Sequence, residues 1–511
     1  MLNLRRIVLA FSLAAAAATV AMAQEHPGRG SADHGRRQEQ GPPGESGKSG
    51  GPGVLSLLPA NAVTEHSIET KAGSLAYTAT AGTFPLFDQS GTQSAAIFYT
   101  AYVAKTASSS PRPVTFVFNG GPGAASAFLH LGLVGPRLAQ FGASGRDGSQ
   151  THLVDNPDTW LAFTDLVLID PVGTGWSRAV KSDDAHAFWS VQADAESMAK
   201  VIALYVAKNG RASSPKFILG ESYGGFRAAK VARALQEDQG IVVSGIVMLS
   251  PLLDGNFQFG GDQFALGGAL QLPSLAAAEL ERKGTFSTQA LAQADHFAMT
   301  DYLTTLAGPP LQGDAAKDFY ARVAKITGVS VDAITRSRGF IDDDYIKNLA
   351  GDHKIVSHYD ATFASDDPYP ESPAERGPDP ILDGMIRAYG GAFVGYARDE
   401  LGFKTEMTYN LLDGAISRRW DWDRGRGQPS VMDDLRELLA LTPSFRLLIA
   451  HGYSDMVTPY AVTRYLLQHL PPFTGEARTA LKLYRGGHMF YLDPDSRKAF
   501  TADARTIYPA P

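Results

Sequence analysis

Three short segments of the 511-residue sequence combine residue types able to do nucleophilic chemistry. The first, Lys216-Phe217-Ile218-Leu219-Gly220-Glu221-Ser222-Tyr223-Gly224-Gly225-Phe226-Arg227, reads as a buried strand, a G-x-S-x-G turn and the start of a helix. A strand that turns sharply into a helix strains the serine backbone and admits only small neighbours, which Gly220 and Gly224 provide. The turn presents the Ser222 hydroxyl at the sheet edge, with the Tyr223 N–H directed at the same space and able to stabilise an oxyanion. A serine nucleophile needs a base, and the base an orienting carboxylate, in the chain order Ser, acid, His. Arg446-Leu447-Leu448-Ile449-Ala450-His451-Gly452-Tyr453-Ser454-Asp455 supplies a strand followed by a loop acid, and Lys482-Leu483-Tyr484-Arg485-Gly486-Gly487-His488-Met489 a strand followed by a histidine. Acid and base thus leave the sheet at strand ends, where ligands of open α/β sheets collect. Ser222, Asp455 and His488 are the expected triad. His451, the nearest rival base, stands only four residues before Asp455 and reads as its structural neighbour.

A further strand, Val114-Thr115-Phe116-Val117-Phe118, opens into Asn119-Gly120-Gly121-Pro122-Gly123. An oxyanion hole needs a second N–H from such an early loop, and Gly121 is the candidate donor. A functionless tight turn is the competing reading. A phosphate-binding loop fits less well, because G-x-G-x-x-G spacing is missing and no helix obviously starts at the end of the segment. Pattern alone proves little: Gly47-Lys48-Ser49-Gly50-Gly51 also fits G-x-S-x-G, in a stretch that can hold no fixed geometry.

These segments require a sheet to carry them. His66–Tyr77 and Ala95–Ala104 read as antiparallel strands leading into it. Compact buried-strand patterns follow at Val114–Phe118, Leu166–Ile169, Lys216–Leu219, Ile246–Leu249, Arg446–Ala450 and Ala480–Leu483. Helical patterns such as Ala193–Lys208 and Arg227–Asp238 lie between several of them. The alternation predicts an α/β fold with a doubly wound, mainly parallel sheet and helices on both faces. From about Gly255 to Leu401 it gives way to pieces such as Ser274–Lys283 and Leu382–Arg398 and to Pro-rich turns at Asp367–Pro380. That stretch reads as an inserted, largely helical cap. The expected organisation is a core over 54–254 and 401–511 with the cap at 255–400.

Residues 1–23, with Arg5-Arg6, an uncharged apolar run and Ala21-Met22-Ala23, read as a secretory signal peptide cleaved before Gln24. Residues 24–53 hold nine Gly and four Pro with no aromatics, a leader unable to offset its ordering entropy by burial. Lys plus Arg total 46 against 53 Asp plus Glu, so the net charge of −7 offers no electrostatic reason to bind nucleic acid or an anionic membrane. Zero cysteines exclude disulfides, thiolate catalysis and cysteine-ligated metals. There is no H-E-x-x-H, and Asp342-Asp343-Asp344 lacks calcium-loop spacing, so neither a metal nor a cofactor is expected.

Five motifs in order resemble those of the serine carboxypeptidases of the α/β-hydrolase fold. They are Asn119-Gly120-Gly121-Pro122-Gly123, Asp170-Pro171-Val172-Gly173-Thr174-Gly175-Trp176-Ser177, Gly220-Glu221-Ser222-Tyr223-Gly224-Gly225, Gly452-Tyr453-Ser454-Asp455 and Gly487-His488-Met489. The resemblance implies Ser222, Asp455 and His488 as triad, Gly121 and Tyr223 as oxyanion donors, and Asn119, Gly120 and Glu221 as the grip on a substrate's C-terminal carboxylate. Glu221 can donate to a carboxylate only while protonated, which implies an acid-favouring exopeptidase acting on peptide or protein C-termini. Three positions depart from the family: Val117 where a Trp is usual, Ala124 in place of a disulfide cysteine, and Leu133 in place of the glutamate that pairs with Glu221. The absence of cysteines and the signal peptide fit an exported protein of a bacterial envelope, periplasmic or extracellular, with no stable membrane insertion after cleavage. Other activities on the same triad (esterase, aminopeptidase or acyltransferase) and a non-catalytic binding protein are the alternatives. Trp420 and Trp422 read either as lining for the substrate pocket or as core.

Overall fold

A computed structural model describes residues 53–106, 110–258, 263–341, 343, 345–351, 353–372, 375–423, 425, 427–472 and 477–509. The expected signal peptide, nearly all of the leader, and Asp342 and Asp344 lie outside them.

The central sheet is built from β1 (Ala62–Thr70), β2 (Gly73–Phe87), β3 (Gln93–Ala104), β4 (Val114–Phe118), β5 (Asp165–Ile169), β6 (Lys216–Glu221), β7 (Gly245–Leu249), β8 (Arg446–Gly452) and β9 (Thr479–Tyr484). Their spatial order is β1-β2-β3-β5-β4-β6-β7-β8-β9, and the two-residue strand Arg178–Ala179 pairs with β3. The first three strands and the β3–β5 junction are antiparallel. From β5 to β9 every pairing is parallel. Successive side chains of these inner strands point to opposite faces. Thus Val117, Leu168, Leu219, Leu249 and Ala450 enter one apolar cluster, and Phe116, Val167, Ile218, Met248 and Ile449 the other. With both faces covered, the inner strands need no polar side, which is why they read as continuous apolar runs.

On one face, α1 (Val191–Lys208) packs against α2 (Tyr223–Gln239). Ser190 caps α1 by accepting from the Ala193 N–H, and Gly240, at φ 63°, closes α2. A buried ion pair, Arg227 Nε to Asp194 Oδ2 at 2.6 Å, joins the two helices.

Between β7 and β8 lies the inserted, largely helical cap. Helices at Ala265–Arg282, Thr288–Phe297, Gly313–Thr327 and Val331–Arg336 enclose a third apolar cluster that includes Leu275, Phe297, Tyr302, Val323 and Ile334. The later helix Ala388–Asp399 instead packs Tyr389, Phe393 and Tyr396 into the first sheet cluster. Among the described residues no helix is long and apolar enough to cross a membrane.

Several local expectations are corrected. His66–Tyr77 is not one strand: the chain reverses after Thr70, and the 15-residue β2 follows. β2 runs through Gly82 and Pro85 because pairing with β3 and burial of Phe84 and Leu86 outweigh two poor strand residues. The helix expected from Ser274 begins at Ala265 and passes through Pro273, whose lost hydrogen bond is offset by buried Leu270, Leu272 and Leu275. Leu382–Arg398 begins as a wide π-type turn over Leu382–Ile386 before Ala388–Asp399 continues as α-helix. A helical turn, Ala127–Leu129, does follow the glycine segment.

Candidate active site

β6 ends at Glu221, and Ser222 turns the chain into α2 at φ 60° and ψ −126°. Such angles are strained for a residue with a side chain, by about 1–3 kcal/mol, and persist only where the surroundings impose them. Here the Ser222 N–H donates to Leu249 O, and its carbonyl accepts from the Gly225 and Leu252 N–H groups. A Cβ at Gly220 would lie 2.0 Å from the Gly224 carbonyl oxygen, so the turn closes only on glycine. Ser222 Oγ makes no hydrogen bond among the described residues; contacts of this kind often tighten only when substrate binds.

The loop after β8 places Asp455, and the loop after β9 places His488; both are buried. His488 Nδ1 stands 2.9 Å from Asp455 Oδ2. Three further donors hold that carboxylate: the Val457 N–H at 2.8 Å, the Thr458 N–H at 3.0 Å and the Thr458 hydroxyl at 2.8 Å. Held in this way, Asp455 binds Nδ1 and leaves Nε2 as the other ring nitrogen. Burial opposes charge on His488, but the Asp455 carboxylate and then Glu221 outweigh it and raise the His488 pKa. His451 is fully buried in β8, pairs through Nε2 with Thr463 Oγ1 at 2.8 Å, and is pushed down to about 4 by burial. That is the behaviour of the structural neighbour expected from the sequence.

The glycine segment after β4 lies against the Ser222 turn. A Cβ on Gly120 would come 2.6 Å from the Tyr223 nitrogen, a closeness only glycine permits. Neither the Gly121 nor the Tyr223 N–H has a protein acceptor among the described residues. Among the contacts that hold the glycine segment, Arg227, held by Asp194, donates to the Asn119 carbonyl, and just beyond the segment the Asp170 carboxylate accepts the Ser126 N–H at 2.8 Å. Asp170, at the head of the Asp170–Ser177 motif, thus holds the chain just after the glycine segment.

Glu221 is 3% exposed. Its Oε2 accepts from Asn119 Nδ2 at 2.6 Å and from the Tyr491 hydroxyl at 2.9 Å. Burial pushes its pKa up to about 7, against the opposing influence of His488 and the two donors. Leu133 is buried in an apolar cluster, and Tyr491 is the side chain found against Glu221. Val117 and Ala124 are likewise buried and apolar. Trp420 and Trp422 pack edge-on to the Tyr223 ring as part of the core.

A cavity of about 840 Å³ opens beside the histidine loop, lined by Gly487, Met489, Tyr491, Tyr359, Tyr389 and Met385 among others. Its lining includes neither Ser222 nor His488 themselves.

The profile of the serine carboxypeptidases matches residues 84–485, most of the chain. The chain belongs to the serine carboxypeptidase family. The enzyme is thus a serine-type carboxypeptidase, although the matched span stops three residues short of His488. No curated protein sequence matches the chain. Among solved structures it is similar to a prohormone-processing carboxypeptidase from Saccharomyces cerevisiae, at 14% identity and a TM-score of 0.54, covering 89% of this chain and 95% of that one. It is also similar to a proline iminopeptidase from Mycobacterium smegmatis, at 16% identity and a TM-score of 0.38, covering 83% and 97%. The first likeness shows the α/β-hydrolase fold of this carboxypeptidase. Reading the sequence for site residues missed Thr458, Tyr491, Tyr359 and the Asp194–Arg227 pair. Thr458, three residues beyond Asp455, is the one that a search for local side-chain turns could have found.

Proposed function

We propose that Ser222, His488 and Asp455 carry out the hydrolysis of C-terminal peptide bonds. Ser222 Oγ attacks the scissile carbonyl carbon while His488 Nε2 takes its proton, and the oxyanion rests on the Gly121 and Tyr223 N–H groups. His488 then returns the proton to the departing amine, the C–N bond breaks, and an acyl-enzyme forms. Water repeats the sequence: His488 takes its proton, the ester opens and Ser222 regains its hydrogen. Asp455 stabilises the imidazolium without accepting a proton.

Asn119, Gly120 and Glu221 hold the C-terminal carboxylate of the substrate, a peptide or protein chain end. The observation that carries this reading is a carboxyl group buried next to the nucleophile, with a pKa of about 7 and an amide donor already on one oxygen. A protonated Glu221 adds a second donor, and a chain end satisfies both. The test is a matched pair of blocked peptides, one with a free C-terminus and one amidated. Strong preference for the free acid is expected; equal turnover would overturn the carboxylate grip and leave an unselective hydrolase on the same triad.

The N-terminal sequence supports export, with Arg5-Arg6 and the apolar run ahead of Ala21-Met22-Ala23. N-terminal sequencing of the protein from its native host should begin at Gln24; a retained Met1 would overturn it.

A further inference from the structure

Glu221 has two carboxyl oxygens, and the protein uses them unequally. Both protein donors, Asn119 Nδ2 and the Tyr491 hydroxyl, converge on Oε2. The Asn119 amide is itself oriented, because its Oδ1 accepts the Leu129 N–H at 3.0 Å, so Nδ2 is the atom that faces Glu221. Tyr491 is equally constrained. It is fully buried, its carbonyl accepts from Arg497 at 3.2 Å, and its ring occupies space that a Cβ at Gly132 would enter at 2.7 Å.

A carboxylic acid carries one proton, and an oxygen receiving two donors is the poor place for it. We propose that Tyr491 is a positioning residue for this carboxypeptidase: its hydroxyl, with Asn119, pins Oε2 as the acceptor and so keeps the Glu221 proton on Oε1, aimed at the substrate carboxylate. This rests on Glu221 being the carboxylate grip. Leu133 turns its side chain into an apolar cluster and gives Glu221 nothing, so no second carboxyl from that position shares the proton. Tyr491 is a donor throughout the working range, since burial pushes its own pKa well above the ordinary tyrosine value. The ionisable groups facing Glu221 are His488 and Asp455 across the site, with Tyr491, Tyr389 and Tyr359 around it.

Tyr491 therefore orients Glu221 and also favours its ionised form, and the two effects separate experimentally. In Tyr491→Phe, KM for a blocked dipeptide with a free C-terminus should rise about tenfold, the loss expected when one hydrogen bond to a charged or acidic group disappears. The basic limb of kcat/KM should move up by about half a pH unit or more, as the ionised form loses a donor. An ester carrying the same acyl group should lose far less. Replacing Tyr491 with 3-fluorotyrosine preserves shape and strengthens the donor, so it should move the same limb down. This second variant decides the matter if the phenylalanine protein fails to fold.

Equal losses on peptide and ester, or a basic limb that moves in neither variant, would overturn the proposal. Glu221→Gln separates the two layers. If its pH profile on the free acid superimposes on that of wild type, the grip itself fails. If it loses the basic limb while Tyr491→Phe keeps wild-type KM and profile, only the role of Tyr491 fails. In the double variant Glu221→Gln/Tyr491→Phe the rise in KM should persist with no limb left to move.

Discussion

The main-chain N–H of His488 donates to the carbonyl of Tyr359, and the Tyr359 ring stands edge-on to the imidazole at 5.5 Å. Tyr359 belongs to the cap, so the cap is built into the loop that carries the histidine. The same segment reaches the Asp455 loop: Met456 N–H donates to His358 O, Ala361 N–H to Ser454 O, and Ser454 Oγ to Asp360 Oδ1 at 2.7 Å. One strap thus ties the two loops together. Tyr359→Ala should lower kcat/KM by about ten- to a hundredfold through misplacement of His488. The loss should be similar on peptide and ester substrates, because positioning the base serves both. A loss confined to free-acid peptides would assign Tyr359 to substrate binding instead.

Ser222→Ala should abolish turnover and fluorophosphonate labelling, with kcat down about a millionfold as for nucleophile removal in comparable triads. Its thermal unfolding midpoint should stay near wild type, since one hydroxyl without a hydrogen bond is removed. Asp455→Asn should cost about 10⁴ in kcat by favouring the wrong imidazole tautomer. Wild-type rates for either variant would move the chemistry elsewhere.

For Glu221 the sign of the pH effect follows from which form works. In the proposed grip the protonated acid donates to the substrate, so kcat/KM on free-acid peptides should fall as pH rises through about 7. Glu221→Gln should remove that basic limb, because the amide stays a donor at every pH. Stability should follow the same proton. A folded-state pKa of about 7 against a reference of 4.5 means the acid form is favoured in the folded state. That advantage is complete below pH 4.5 and is lost as pH rises to 7, by roughly 3 kcal/mol. Relative to wild type, Glu221→Gln should therefore gain stability between pH 4.5 and 8 in denaturant unfolding. A difference independent of pH would show that Glu221 ionises freely.

Asp194→Ala should destabilise the fold by about 3–5 kcal/mol, the cost of leaving a buried arginine unpaired. Its effect on catalysis should exceed that of other equally destabilising core changes, because Arg227 also holds the Asn119 carbonyl. Chemical denaturation and kcat/KM measured on one preparation check both; unaltered activity would detach the pair from the glycine segment.

Some of this was readable from local sequence, for reasons of local physics. The Ser222 turn announces itself because its backbone tolerates only Gly220 and Gly224 beside that serine, and the apolar inner strands because both of their faces are covered. Strand ends at Asp455 and His488 follow the same logic, so the placement of these two residues after β8 and β9, and their contact, was legible from order and spacing. Element limits were less so. Pro273 inside a helix and Gly82 inside a strand contradict intrinsic preference, and burial overrules them. The partner of Glu221 was decided by tertiary structure alone. Leu133 says only that a carboxyl is missing there, whereas Tyr491, 270 residues from Glu221, arrives because the loop after β9 folds its ring over Gly132. Likewise nothing near Tyr359 or Asp194 marks them as supports for His488 and Asn119. Such contacts depend on how distant segments pack, and no periodicity, propensity or motif within either segment encodes the meeting.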